Sequence, residues 1–182
     1  DAPLSNATVC LDTNEDSECG TDEVSIASDS QGYYSLAETE AQSGFELRVL
    51  SIGGTDILTG KELPSLALVA DVPADPTQPV AVTPLSTVVS VAEDPASVLV
   101  ALGFPETVTP EQITSIDPWA LATGSTDTSS EFASSEALAE SIGITTTELE
   151  SVADNVVVTS VQIVNLIQTA DAVVANTTES EV

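Results

Sequence analysis

The chain contains no histidine and no methionine, and only two basic residues, Arg48 and Lys61. Without histidine there is no Ser-His or Cys-His pair to activate a nucleophile, and no imidazole to complete a zinc site. With so few basic residues, nothing displaces counterions from phosphate, so nucleic acid and anionic membranes are repelled. Aromatic residues make up 3% of the chain. The core is therefore built from Val, Leu, Ile and Ala, and the aromatic platforms that accompany the carboxylate pairs of glycosidases are scarce. There is no glycine-rich phosphate loop, since Gly53-Gly54-Thr55 reads as a turn. The most membrane-like stretch, 156–175, carries Gln162, Asn165, Gln168 and Asp171 and lacks basic flanks, so it reads as a buried or partner-facing helix. These absences together predict a protein that is not an enzyme, binds no nucleic acid and does not insert into membranes.

What the chain has in abundance is acid: 30 Asp and Glu, for a net charge of −28 in 182 residues. Such a surface repels itself unless salt screens it or cations bind it, which points to a saline or calcium-containing exterior. An acidic cytosolic protein of a halophile has a similar composition. At 42% hydrophobic residues and a mean hydropathy of +0.20, the chain is no disordered acidic tail, and it has the means to bury a core. The two cysteines, Cys10 and Cys19, lie close in sequence. The expectation is a disulfide formed in an oxidising compartment, with two free thiols as the alternative. The opening at Asp1 reads as a mature product whose leader has been removed. Asn6-Ala7-Thr8 and Asn176-Thr177-Thr178 fit the glycosylation sequon, a weak signal in a chain so rich in Thr.

The texture of the chain changes once. Residues 1–82 predict an antiparallel β-sandwich, with strand-like runs at Ala7–Leu11, Tyr33–Leu36, Phe45–Ile52, Leu66–Ala70 and Val80–Val82 between Gly- and Pro-rich turns. Residues 83–182 predict a helical region packed on it or on a neighbouring subunit, making an α+β chain. Thr83, Asp94, Thr109 and Asp117 each precede a proline, the arrangement of an N-cap before a first helical position that needs no N–H. Gly103 is a natural stop for a helix over Ala96–Leu102, and Gly124–Ser130 reads as a loop. A helix is expected near Glu131–Ile142, and a long one from about Thr147, opened by a Thr145-to-Glu148 capping box. Its apolar stripe runs through Leu149, Ala153, Val156, Ile163, Ile167, Ala170 and Val174, interrupted by Ser160. That stripe predicts a core helix, or one that also meets another subunit. Trp119, at the Asp117-Pro118 start, reads as a core anchor.

One segment carries chemistry. Asp12, Asn14 and Asp16 occupy positions one, three and five of a calcium loop, and Glu23 falls at position twelve. Alternate spacing turns oxygen ligands toward one hard cation, and the last carboxylate closes the shell. Asp22 is a further candidate ligand. Ser17 stands where an EF-hand has Gly, and strand-like sequence flanks the loop in place of two helices. The bland alternative is an acidic surface loop in an acidic chain.

The stretch Val9-Cys-Leu-Asp12-Thr-Asn14-Glu-Asp16, with Ser28-Asp29-Ser-Gln-Gly32-Tyr-Tyr34 after it, resembles the calcium-binding B-type repeats and carboxypeptidase-regulatory-like sandwiches of large secreted bacterial surface proteins. The resemblance implies Asp29 as an additional ligand and Tyr34 as a core residue beneath the loop. The expected function is a building block of an extracellular assembly at the cell surface, a filament or layer subunit or an adhesin module. It would be stabilised by the disulfide and calcium and would associate with itself or with neighbouring modules. The alternative is a calcium-dependent glycan-binding or accessory module. An edge strand at Ala7–Leu11, preceded by a loose arm at Asp1–Asn6, is the expected route of self-association.

Overall fold

Backbone N–H and C=O groups must all be paired once buried, and short aliphatic runs separated by turns do this by antiparallel laddering. The computed structural model describes residues 3–37, 46–74, 79–114, 139–140, 143–152, 154–156, 158 and 162. Its elements are β1 (Leu4–Ser5), β2 (Thr8–Asp12), β3 (Ser25–Ala27), β4 (Arg48–Ile52), β5 (Thr55–Asp56) and β6 (Ala67–Asp71), followed by α1 (Pro84–Ser90), α2 (Pro95–Ala101) and α3 (Pro110–Thr114). The α+β order is as expected, antiparallel sheets first and helices after. One sheet has four strands in the order β3-β2-β4-β6, and the other pairs β1 with β5.

The register fixes which side chains share a face. Val9, Leu11 and Val49 form a buried cluster, against which Tyr34, Leu36, Val72, Val80 and Val82 pack. Cys10, Asp12, Arg48, Leu50 and Asp71 fall on the opposite face, because successive side chains alternate. Tyr33–Leu36 and Val80–Val82 are not strands. They are irregular segments joined by the Tyr34 hydroxyl, which donates to the Val80 carbonyl at 2.8 Å. Burial pushes the Tyr34 phenol well above the usual tyrosine range. Their alternating apolar residues cover the sheet without laddering, a case that periodicity alone does not separate from a strand.

The self-association route through Ala7–Leu11 is overturned. β2 is interior, hydrogen-bonded to β3 on one side and β4 on the other. Nor is the whole arm before it loose: Leu4 and Ser5 pair with Asp56 and Thr55. Gly54, at φ 112°, permits this closure, since a Cβ there would lie 3.1 Å from that of Ala7 and 3.2 Å from that of Leu4.

The helices start where the prolines indicated. Thr83 caps α1 and forms a reciprocal box with Ser86, and Asp94 caps α2 by accepting from the Ser97 N–H. Two hydrogen bonds from Ser97 hold the Asp94 carboxyl below its usual range. Gly103 follows α2 at φ 98°, the left-handed stop expected of it. Glu148 closes its capping box, accepting from the Thr145 N–H at 2.8 Å, while the Glu148 N–H donates to the Thr145 hydroxyl at 3.2 Å. Residues 146–152 are helical, as are 154–156, 158 and 162. Leu149 and Val156 of the expected stripe join Leu85, Val89, Leu99, Phe104, Val108, Ile113 and Val152 in one buried cluster. Trp119, the Gly124–Ser130 loop, the Asp117-Pro118 start, Asn176 and the stripe beyond Val156 lie outside the described residues, as does nearly all of the segment 131–142.

Helix α1 also seals the outer edge of β6. The Val69 N–H donates to the Thr87 hydroxyl, the Asp71 N–H donates to the Ser90 hydroxyl, and the Ser86 hydroxyl lies 2.9 Å from the Val69 carbonyl. Three hydroxyls on one helix thus take the place of a neighbouring strand. Ser86→Ala removes a 1% exposed group that also accepts from the Thr83 N–H. It is expected to cost about 1–2 kcal/mol in urea unfolding. An unchanged midpoint would mean that solvent satisfies this edge equally well.

Candidate metal-binding loop

The loop begins where β2 ends. Cys10 and Asp12, two residues apart on the strand, share the face opposite Val9 and Leu11. A disulfide joins Cys10 to Cys19 across a sequence separation of 9, with Cα atoms 5.7 Å apart, and so draws the loop back over that face. Cys10 itself is fully buried. A disulfide is characteristic of an oxidising compartment.

Inside the tether the chain makes three successive side-chain turns. Asp12 is 1% exposed; its Oδ1 accepts from the Asn14 N–H at 3.3 Å and its Oδ2 from the Ser17 N–H at 3.1 Å. The Asn14 Oδ1 accepts from the Asp16 N–H at 3.1 Å, and the Asp16 Oδ1 from the Glu18 N–H at 2.9 Å. The Asn14 amide also donates to the Asp16 carboxylate at 3.0 Å. The structure therefore brings Asp12, Asn14 and Asp16 into one small curl. Glu15 and Ser17 take left-handed backbone at φ 56° and 63°. Ser17 thus adopts the conformation for which a calcium loop employs glycine at position six, although the residue differs.

Glu23 lies at the loop's base and not in the curl. Its Oε1 accepts from the Thr13 N–H at 2.9 Å and its Oε2 from the Gly20 N–H at 2.8 Å, so it links the start of the loop to its end. Asp22 is exposed beside it. Asp29 is not brought to the loop. In the antiparallel β2–β3 hairpin it lies beyond Ala27, which pairs with Thr8, whereas the loop leaves from Asp12. The strand places these ends roughly 13 Å apart. Asp29 serves its own turn, accepting at Oδ1 from the Gln31 and Tyr33 N–H groups.

Three residues shape the site that spacing did not single out. Thr13 supplies the N–H that holds Glu23, and Glu15 accepts from the Glu46 N–H at 3.0 Å, fastening the loop to the approach of β4. Arg48 lies opposite Asp12 in the register, with Asp71 on its other side, and bonds Asp71 at 3.1 Å. An acid opposite the only Arg, across adjacent strands, is the signal that would have found it. Among the described residues no three carboxylate, Cys or His side chains converge on one point.

No family model, well-characterised protein or solved structure matches this chain. Two carboxylates and an amide oxygen in one curl are hard-oxygen donors suited to calcium, and the left-handed position six gives the loop its sharp bend. Glu23 fits that role only by releasing two backbone N–H groups.

Among the described residues no helix is long and apolar enough to cross a membrane.

Proposed function

We propose that this chain is a non-enzymatic extracellular structural module, a building block of a surface filament or layer or one unit of a large adhesin, rigidified by its disulfide and by calcium held at Asp12, Asn14 and Asp16. The observation that carries the reading is the tethered curl, in which these side chains are collected on one turn, with left-handed backbone at Ser17, by a cross-link that closes only a short loop. Remaining ligands come from the carboxylates at the loop's base, Asp22 and Glu23. The net charge of −28 supports the same reading, because association of so acidic a surface requires screening or bound cations. In this role the ion lowers local repulsion and locks a loop.

The test is negative-stain microscopy with light scattering on the purified protein, in calcium and then in chelator. Regular fibres or sheets that loosen in chelator are the expected result. A monodisperse monomer under both conditions would remove the assembly part of the proposal.

A further inference from the structure

The four-stranded sheet has two edges, and they are finished differently. The outer edge of β6 is closed by the hydroxyls of α1. The outer edge of β3 has no such cover among the described residues. The Ser28 N–H donates to the Ala7 carbonyl and the Leu11 N–H to the Val24 carbonyl, so residues 24, 26 and 28 direct their backbone groups toward β2. By alternation, the N–H and C=O of Ser25 and Ala27 point outward. All three residues of β3 are exposed.

Two further features describe what fits there. Val24 and Ile26, 38% and 44% exposed, lie on the face of Val9 and Leu11 and form an apolar rim along this edge. Acids flank the strand at both ends, Asp22 and Glu23 before it and Asp29 after it. A second copy is a poor occupant. Antiparallel pairing of β3 with itself about Ile26 sets Asp29 opposite Glu23 at each end, and like charges directly opposed are unfavourable. The chain holds only two basic residues to relieve this, Arg48, bonded to Asp71, and Lys61, in the turn after β5.

We propose that the free edge of β3 takes up an extended cationic segment of a different protein, laddered to Ser25 and Ala27, with apolar side chains over Val24 and Ile26 and Lys or Arg against Asp22, Glu23 and Asp29. Backbone pairing supplies the grip, and the charge and the rim supply the choice of partner. This inference does not rest on calcium at the Asp12 loop: Asp29 stands apart from that loop, and Asp22 and Glu23 are open to Lys or Arg in the calcium-free chain.

The probe is a short peptide of alternating lysine and valine, added to the full chain and followed by fluorescence anisotropy and by amide hydrogen exchange. Its control has the same charge but carries proline at every second valine, which prevents laddering. The alternating peptide is expected to bind at least about tenfold more tightly than the control, as loss of a few backbone hydrogen bonds implies. Exchange at the Ser25 and Ala27 amides should slow. Ala27→Pro removes an outward N–H and no ladder bond, and should lower affinity about tenfold while circular dichroism stays native. Equal binding of both peptides would show diffuse attraction to an acidic surface and overturn the proposal. Unprotected Ser25 and Ala27 amides in the complex would do the same, and that readout needs no variant. Pairing of β3 with a second copy, seen as a dimer that Ala27→Pro dissolves, would also overturn it.

Discussion

Removing the Cys10–Cys19 cross-link should lower the stability of this protein by about 2.5–3 kcal/mol, as expected for a closed loop of roughly ten residues. The corresponding fall in melting temperature is about 5–10 °C for a chain of this length. The bond acts first on the unfolded chain, which without it regains the freedom of the segment between the two cysteines. It acts secondly on the sheet. Cys10 is fully buried in β2, and Cys19 is the group that returns the loop to that face. The measurement is calorimetric melting of the native protein against the Cys10→Ala/Cys19→Ala pair, which avoids a buried thiol as a confounding group. A melting temperature unchanged by the double substitution would show that the hydrogen bonds of Asp12 and Glu23 suffice to hold the loop.

Asp12→Ala carries the second large effect, a loss of about 3 kcal/mol. Asp12 is 1% exposed and receives two backbone N–H groups, from Asn14 and Ser17. Hydrogen bonds to a charged acceptor are worth about 1.5–3 kcal/mol each, but partial solvent access to the loop N–H groups brings the sum down. Asp12→Asn is no neutral replacement. Its amide retains one acceptor oxygen, and its NH2 would face an N–H, donor against donor. Because Asp12 and the disulfide hold the same loop, the two losses should not add. A cycle of the single and combined variants in urea unfolding is expected to show a coupling of about 0.5–1 kcal/mol. Strict additivity would mean that loop closure and the curl are independent.

Parts of this structure were legible from the chain alone, and the reasons are local. Thr83, Asp94 and Thr109 before prolines marked α1, α2 and α3, because caps and N1 prolines are short-range devices that tertiary context rarely overrides. β2, β4 and β6 were visible because their aliphatic runs are buried. β3 was not, because it has three residues and the Val24/Ile26 alternation beside it is too short to stand out from the loop before it. β1 and β5 have two residues each, too few for any periodicity. The interior place of β2 depends on long-range pairings, such as Val9 with Ile26 on one side and Thr8 with Ile52 on the other, which no local signal reports.

The candidate site divides in the same way. The alternation of Asp12, Asn14 and Asp16 is visible in one dimension, and the structure curls these residues together. The tether was visible in the cysteine spacing. The placing of Asp29 depends on which end of a hairpin it occupies, and that follows from the register of β3. Glu23 matched position twelve by count, yet its oxygens hold the Thr13 and Gly20 N–H groups, a competition that sequence spacing does not weigh.

Calcium binding by the tethered curl is tested most directly by isothermal titration of calcium into the chelator-stripped full chain. At physiological ionic strength, where diffuse attraction to the acidic surface is screened, one saturable site is expected, with a Kd on the order of 0.1–1 mM. Magnesium at the same concentration should give a much weaker signal, because it demands a stricter octahedral shell and sheds water reluctantly. Asp16→Ala, a change at an exposed residue that leaves Asp12 and its two backbone bonds in place, should abolish the saturable phase. Absence of any saturable heat in the native protein, or a calcium isotherm that Asp16→Ala leaves unaltered, would contradict the account.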